Sequence, residues 1–289
     1  MKSFSFLVIL FLSLTLARAD DPVRVIIFGA HPDDCEYTAG GIAALYSQMG
    51  HKVKFVSLTN GNKGHHLMKP GELAARRSQE AQEVARILGV EYEIMNNDDG
   101  ELTPSLKNRF AVIKLICDWE ADIVISHRTN DYHPDHRNTG VIVQDAAYMI
   151  GVPLMNPNGK PLRKPVVFLY MPDGFQKPTP FSPDIVIDIT SVADQKENAL
   201  CANVSQMFEW LPWIEGWENE LPADRAQWRK FVGNRFMLDS KVDRFKDAAS
   251  KWYSAAQLKN IRYAEAFEIC EYGSRPGKDE IKRLFPMLP

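Results

Sequence analysis

Five short apolar segments, separated by longer helical segments, limit what this chain can fold into. Each is apolar on both faces, which is typical of a strand in a parallel sheet covered on both sides. They span 23–29, 53–58, 122–126, 166–170 and 185–189. Helical patterns span 40–49, 71–88, 105–119 and 138–150. The alternation predicts an α/β fold with three layers, a Rossmann-like and mostly parallel sheet with helices on both faces.

The sequence after about residue 200 differs from the part before it. It has a helical pattern and is rich in tryptophan, so we expect a helical C-terminal extension over about 200–289. These tryptophans can fill the core or wall a sugar-binding cleft, and the sequence leaves both open. No linker, repeat or low-complexity segment divides the chain, so residues 20–289 are interpreted as a single domain.

The first nineteen residues are typical of a signal peptide. Lys2 provides a positive charge, residues 6–16 are an apolar run too short to span a bilayer, and 17–19 (Ala-Arg-Ala) fit a cleavage site. We therefore expect a secreted or periplasmic protein without a stable membrane anchor after cleavage. The alternative is an uncleaved anchor.

The net charge and the cysteines limit the partners and the cross-links that we expect for this protein. The formal net charge is −3 with no run of Lys or Arg, which argues against nucleic acid as a partner. The four cysteines include no C-x-x-C pair, and a chain of this length can form a core without disulfides, so we expect buried free thiols. Oligomeric state is left open.

The loop after the first strand carries chemistry-bearing residues. A dinucleotide-binding fold would have G-x-G-x-x-G there, whereas residues 29–34 are Gly-Ala-His-Pro-Asp-Asp. In a parallel sheet, ligands bind at the carboxyl ends of the strands, where this loop lies. The loop therefore indicates a metal or acid–base site and not a nucleotide cofactor.

The loop after the strand at 122–126 is also rich in possible metal ligands. Residues 127–136 contain three of the seven histidines. His133 can cap a helix that has Pro134 at its first position, which places His136 one turn further on. His31 and Asp34 have the same spacing. Imidazoles with one carboxylate suit a catalytic zinc ion that keeps a position open for water.

The two loops together resemble the PIG-L (LmbE-like) family of zinc-dependent deacetylases, which act on N-acetylglucosamine-type substrates. The first motif is A-H-P-D-D with Gly40-Gly41, and the second is H-P-D-H at 133–136. Supporting similarities extend along most of the chain. They are Arg77, Glu80, Asp99-Gly100, Asp131, Asp188-Ile189-Thr190, Lys196, Ser205-Gln206 and residues 263–267.

The resemblance implies roles for six residues and one zinc ion per chain. His31, Asp34 and His136 would bind the metal. Asp33 would be the general base, His133 would stabilise charge at the reacting carbonyl, and Asp135 would orient His133. These catalytic and metal-binding roles leave the substrate open beyond a small molecule or glycan that bears N-acetyl groups.

Two positions depart from the family pattern. Many members have Glu immediately after the second Asp of the first motif, where this chain has Cys35 followed by Glu36. Some have histidine two residues before Ser-Gln, where this chain has Asn203. Neither change affects the inferred ligands, but both bear on substrate specificity.

Arg77 has two interpretations. It lies on the apolar stripe of its helix, and an inward arginine needs a partner. Glu80, one turn on, can be that partner. Alternatively Arg77 is a substrate-binding residue at the edge of the site that donates to a substrate hydroxyl.

Two rival functions stay open at this point. One is a different mononuclear metallohydrolase that acts on another amide or ester bond. The other is a non-enzymatic secreted carbohydrate-binding protein. The complete set of inferred ligands and base favours the enzyme, a zinc-dependent N-deacetylase.

Overall fold

The computed structural model describes residues 21–156 and 159–289. The signal peptide expected over 1–19 lies outside these residues. The strands are β1 (Arg24–Gly29), β2 (Lys52–Ser57), β3 (Glu91–Ile94), β4 (Ile123–Ser126), β5 (Val167–Tyr170), β6 (Ile185–Asp188) and β7 (Ala264–Ile269). They form one seven-stranded sheet in the order β3-β2-β1-β4-β5-β7-β6. Strands β1 to β5 pair in parallel, and β7 is antiparallel to both of its neighbours.

Helices cover both faces of this sheet. The longer ones are α1 (Asp34–Gln48), α2 (Pro70–Leu88), α3 (Leu106–Asp118), α4 (Pro134–Met149) and α5 (Ala193–Ala202). Shorter ones are α6 (Leu211–Glu215), α7 (Trp228–Arg235), α8 (Lys246–Ala249), α9 (Ala255–Leu258) and α10 (Lys278–Leu284), together with a π-helical turn at Ser205–Trp210 and several 3₁₀ turns. None of the helices in the described ranges has the length and apolar character needed to cross a bilayer.

The sheet separates two apolar layers. Successive side chains of β1 point to opposite faces, so Val25 and Ile27 pack into one layer and Ile26 and Phe28 into the other, all fully buried. This explains why the strand is apolar on both faces. The three-layer α/β fold expected from the sequence is confirmed, as are the five expected strands.

The sequence pattern did not predict two of the strands, β3 and β7, and helix α1 begins at Asp34, earlier than expected. Strand β3 has only four residues, and two of them are glutamates. Strand β7 has the sequence AEAFEI, whose Ala and Glu favour a helix, but pairing with β5 and β6 on either side makes it a strand. The expected helical C-terminal extension over about 200–289 is therefore interrupted by one strand, β7, which completes the sheet.

A buried ion pair fixes the bend in α1. The helix departs from helical geometry at Ala39 (φ −136°), and Glu265 of β7 accepts hydrogen bonds from the freed N–H groups of Gly41 (2.8 Å) and Ile42 (2.7 Å). The ammonium of Lys196 lies 2.7 Å from the same carboxylate. Three of the sequence similarities, Gly40-Gly41, Lys196 and 263–267, thus meet in one structural contact.

The four cysteines are all free thiols, as expected. Three of them are buried and Cys201 is half-buried.

The tryptophans of the C-terminal part differ in their surroundings. Trp217, Trp228 and Trp252 belong to the core or pack against it. Trp210 lines a cavity and Trp213 is exposed, so these two tryptophans do not fill the core.

Candidate active site

Three of the expected ligands, His31, Asp34 and His136, form a compact triangle of side chains. Nδ1 of His31 lies 3.2 Å from Nε2 of His136, and the two nitrogens contact different oxygens of the Asp34 carboxylate, His31 at 3.6 Å from Oδ2 and His136 at 3.4 Å from Oδ1. A tetrahedral zinc ion with bonds of about 2.0–2.1 Å requires ligand atoms about 3.3–3.4 Å apart. The residues present therefore fit a zinc ion.

The sheet brings these residues together. His31 follows β1, Asp34 opens α1, and His136 lies in the first turn of α4, which follows β4. Because β1 and β4 are parallel neighbours, both loops emerge at the same edge of the sheet. Gly29 permits the close approach, since a Cβ there would lie 2.8 Å from the Cβ of Asp34.

Carboxylates hold the far nitrogen of each histidine. Nδ1 of His136 lies 3.1 Å from Asp131, and Nε2 of His31 lies 3.1 Å from Asp99 and 3.3 Å from Asp135. Such contacts fix the tautomer and direct the opposite lone pair at a metal. Burial lowers the pKa of His31, but the hydrogen bonds to carboxylates outweigh it and raise the pKa well above its usual value.

The orienting role expected for Asp135 needs correction. Its carboxylate accepts hydrogen bonds from the N–H groups of Gly100 (2.7 Å) and Leu102 (3.2 Å) and contacts His31, not His133. Its backbone N–H donates to Nδ1 of His133 at 3.2 Å. The reason is geometric: Asp135 lies in the first turn of α4, from which its side chain reaches across to the β1 loop.

His133 caps α4 with Pro134 at the first helical position, as expected. Its ring centroid lies 4.5 Å from that of His31, edge to face. Burial, together with the neighbouring His31 and His136, lowers the pKa of His133. Because Nδ1 accepts the Asp135 N–H, the neutral ring carries its proton on Nε2 and can donate a hydrogen bond without being charged.

Asp33 lies beside the triangle and lines the cavity. Its φ of 139° is a strained value for a residue other than glycine, and such strain is concentrated at functional sites. Burial raises the pKa of its carboxyl group to about 6, although the guanidinium of Arg77 acts in the opposite direction. A carboxylate of that basicity suits proton transfer near neutral pH.

Arg77 is buried and also lines the cavity. It donates to the carbonyls of Pro32 (2.5 Å) and Gly61 (3.1 Å) and to the Asp33 carboxylate (3.2 Å). Glu80, the partner considered in the sequence analysis, instead accepts from Arg76 and Ser205. Arg77 therefore holds the strained loop of Asp33.

Sequence reasoning assigned no role to His127. Its Nε2 lies 3.2 Å from Oδ2 of Asp34, and its ring stacks on His136 at 4.1 Å. Asp34, His127 and His136 also lie within reach of one metal ion. The sequence feature that could have indicated a role for His127 is its position directly after the end of β4. Asp99 and Asp131 were noted as similarities, but not as partners of the histidines.

The site opens into a cavity of about 960 Å³. One end is formed by the histidines and aspartates of the two loops. Residues from the C-terminal part of the chain, within 206–245 and 264–266, also line it, among them Trp210, Phe236, Asp239 and Arg244. The cavity is large enough for a small-molecule substrate, since such sites measure roughly 300–1,000 Å³.

Comparison with known proteins identifies relatives of this chain. Residues 26–147 match the model of the PIG-L family, described as GlcNAc-PI de-N-acetylase. A 4-oxalmesaconate hydratase of Pseudomonas putida is 27% identical over 193 residues, which cover 64% of this chain and 74% of the hydratase. A diacetylchitobiose deacetylase of Thermococcus kodakarensis is 28% identical over 226 residues, covering 75% of this chain and 82% of that enzyme.

A solved structure shares the fold. An N,N'-diacetylchitobiose deacetylase from Pyrococcus horikoshii superposes with a TM-score of 0.63 at 24% identity, covering 89% of this chain and 88% of that chain. At this level of identity the likeness establishes the common architecture. The relatives named here by their activity are all enzymes.

Proposed function

Because the chain contains a PIG-L family domain over residues 26–147, we propose that it is a zinc-dependent hydrolase that removes the acetyl group from an N-acetylated amino sugar. The observation that carries the proposal is the triangle of His31, Asp34 and His136, with ligand atoms 3.2–3.6 Å apart. Three protein ligands leave a coordination position open, which is the arrangement of catalytic zinc sites.

The surrounding residues suit hydrolysis of an amide. A bound zinc ion would supply Lewis acidity, lowering the pKa of water and polarising the acetyl carbonyl. Asp33 can accept a proton from the attacking water and return it to the departing amine. His133 can donate its Nε2–H to the oxygen on which negative charge develops. Arg77 would position Asp33 through the contacts described above.

Addition of water to an unsaturated acid is a second candidate, favoured by the 27% identity to the hydratase. The charge of the cavity opposes it, because the substrate in that enzyme's name is a carboxylate anion. Within the described part of the chain, eight carboxylates but only three Lys or Arg side chains line the cavity. Each of the three, Lys63, Arg77 and Arg244, already contacts an acid. A neutral acetylated sugar suits this lining better than an anion.

Export is part of the proposal. The apolar run at 6–16 and the Ala-Arg-Ala sequence at 17–19 support cleavage after Ala19. The mature chain would then begin at Asp20 and act outside the cytoplasm. The intact mass of protein recovered from the producing cell's exterior tests this. A chain that keeps Met1 and stays with the membrane contradicts it.

One assay separates the two activities. The purified protein is incubated with N-acetylated sugars and, separately, with unsaturated di- and tricarboxylates, and zinc content is measured by mass spectrometry. We expect acetate release, loss of activity with a chelator and recovery with zinc. Water addition to the acids without acetate release would support the hydratase. Zinc-loaded protein inactive in both assays would contradict the proposed function.

A further inference from the structure

We propose that Tyr92 is a positioning residue for Asp33, the proposed general base. The hydroxyl of Tyr92 accepts the backbone N–H of Asp33 and thereby fixes the direction in which the Asp33 carboxylate points. The buried side chains of Glu36 and Asn203 hold that hydroxyl in turn. This role rests on the proposed function, because Tyr92 acts on the reaction only through the base.

The backbone of Asp33 is held by contacts from three elements. Its carbonyl accepts the N–H of Tyr37 in α1 at 3.0 Å, and its carboxylate lies 3.2 Å from the guanidinium of Arg77 in α2. Its N–H donates to the hydroxyl of Tyr92 in β3 at 3.3 Å. Because a residue with a φ of 139° keeps this strained conformation only where its surroundings fix it, each of these contacts matters for the shape of the loop.

Strand β3 directs Tyr92 toward the interior. Glu91 and Glu93 on either side of it are exposed, whereas Tyr92 is buried, since alternate residues of a strand point to opposite faces. Its ring packs edge to face against Phe55 of the neighbouring strand β2, with the centroids 5.5 Å apart. The hydroxyl therefore has a fixed position beside the backbone of Asp33.

A buried carboxylate determines the direction in which this hydroxyl donates. The hydroxyl of Tyr92 donates to Oε2 of Glu36 at 3.2 Å, and Glu36 is fully buried in the first turn of α1. A phenol has one proton, so once that proton is used on Glu36, a lone pair of the oxygen faces the N–H of Asp33. Glu36 thus makes Tyr92 an acceptor for Asp33.

The side-chain amide of Asn203 holds the other oxygen of Glu36. Its Nδ2 donates to Oε1 of Glu36 at 2.7 Å, and Asn203 is only 1% exposed. The sequence departs from the family pattern at both places, because Glu36 comes one residue later than the Glu of many members and Asn203 stands where some have histidine. The two departures are therefore in direct contact, as a donor and an acceptor that satisfy each other.

These contacts bear on the rate of proton transfer. A base must lie within hydrogen-bond reach of the proton that it accepts, and a misplacement of about 1 Å can slow a reaction on the order of 100-fold. Without the hydroxyl of Tyr92, the N–H of Asp33 loses its acceptor and the strained backbone is free to relax. The carboxylate then moves away from the position in which it can accept the proton.

The kinetic test removes the hydroxyl and keeps the ring. Tyr92→Phe should lower kcat for acetate release on the order of 10- to 100-fold, with KM and zinc content unchanged. Tyr46→Phe is the matched control, since Tyr46 is a buried tyrosine of α1 whose hydroxyl donates to the carbonyl of Leu284 at 2.7 Å. It should leave kcat unchanged. Loss of zinc from Tyr92→Phe would show support of the metal ligands and would overturn the inference.

A double variant distinguishes positioning of the base from a general structural effect. If Tyr92 acts through Asp33, then Tyr92→Phe should cause no further loss of rate in a protein that already carries Asp33→Asn. The same fold-loss in both backgrounds would mean that Tyr92 affects the reaction by another route, and would overturn the inference.

Hydrogen exchange at the Asp33 amide, followed by NMR on the zinc-loaded protein, requires no turnover. Exchange should become at least about tenfold faster in Tyr92→Phe and stay unchanged in Tyr46→Phe, because only the first removes the acceptor of that amide. This result supports the contact even if the unmodified protein releases no acetate, which would contradict only the proposed function. Unchanged exchange, or faster exchange with an unchanged kcat, overturns the inference and leaves the deacetylase proposal standing.

Discussion

The carboxylate of Asp135 lies 3.3 Å from Nε2 of His31, so an acid in the second loop holds a histidine in the first. Asp99 lies 3.1 Å from the same nitrogen. The triangle of ligands is therefore supported from a third segment, the one that follows β3. Zinc binding should depend on these acids although their oxygens face away from the centre.

Replacing Asp135 tests this support. Asp135→Asn keeps the shape of the side chain but removes the negative charge opposite His31. Loss of such an outer carboxylate typically weakens metal binding about 10–100-fold. A zinc competition titration measures the change, and His136→Ala, which deletes a proposed ligand, should lose zinc altogether. Asp145→Asn, on the exposed part of α4, is the matched control. Unchanged zinc affinity in Asp135→Asn would show that the contact is incidental.

Adjacent aspartates should respond differently to the same substitution. Asp33→Asn removes the proposed base, so zinc content should persist while the rate of acetate release falls on the order of 10²- to 10⁴-fold. Asparagine has nearly the same shape as aspartate, so the substitution adds no steric strain to the backbone at position 33, where φ is 139°. Asp34→Asn should weaken zinc binding, and excess zinc should restore part of its activity. Zinc rescue of Asp33→Asn but not of Asp34→Asn would reverse the two roles.

Cys35 is next to a proposed ligand but points away from it. Its Sγ lies 3.4 Å from the carbonyl of Ile27 and 3.9 Å from that of Val56, in the buried layer against the sheet. We expect Cys35→Ser to retain stoichiometric zinc and most of the activity. Zinc content and acetate release, measured side by side with the unmodified protein, decide this. Loss of zinc would indicate a thiolate ligand.

The buried pair of Lys196 and Glu265 should matter for stability. Their side chains are only 1% and 2% exposed, and removing one partner leaves the other charged and buried. Lys196→Met should lower the free energy of unfolding by about 3–5 kcal/mol. Arg86→Met breaks the exposed Arg86–Glu83 pair and should cost no more than about 1 kcal/mol. Urea unfolding measures both. If Lys196→Met and Arg86→Met lowered the free energy of unfolding equally, Glu265 would have found another partner.

The sequence predicted most of the sheet because the apolar pattern of its parallel strands reports burial on both faces. It did not predict β7, whose alanines and glutamates form a strand only through pairing with β5 and β6. That the residues of the two loops meet at one edge of the sheet was predictable from spacing, since both loops end neighbouring strands, whereas the choice of His31, Asp34 and His136 as ligands came from the family resemblance. The contact of Asp135 with His31 could not be predicted from the sequence, because it depends on how α4 faces the loop after β1.

Strand β6 reaches the sheet only through β7, which lies between it and β5. During synthesis, residues 185–188 therefore emerge long before the strand that must join them to the rest. All the proposed zinc ligands precede residue 137, yet the bend of α1, the helix that begins at Asp34, is held by Glu265 near the end of the chain. The helix with one ligand thus reaches its final shape only when nearly the whole polypeptide has been made. Metal loading is accordingly expected to be one of the last events in the maturation of this protein.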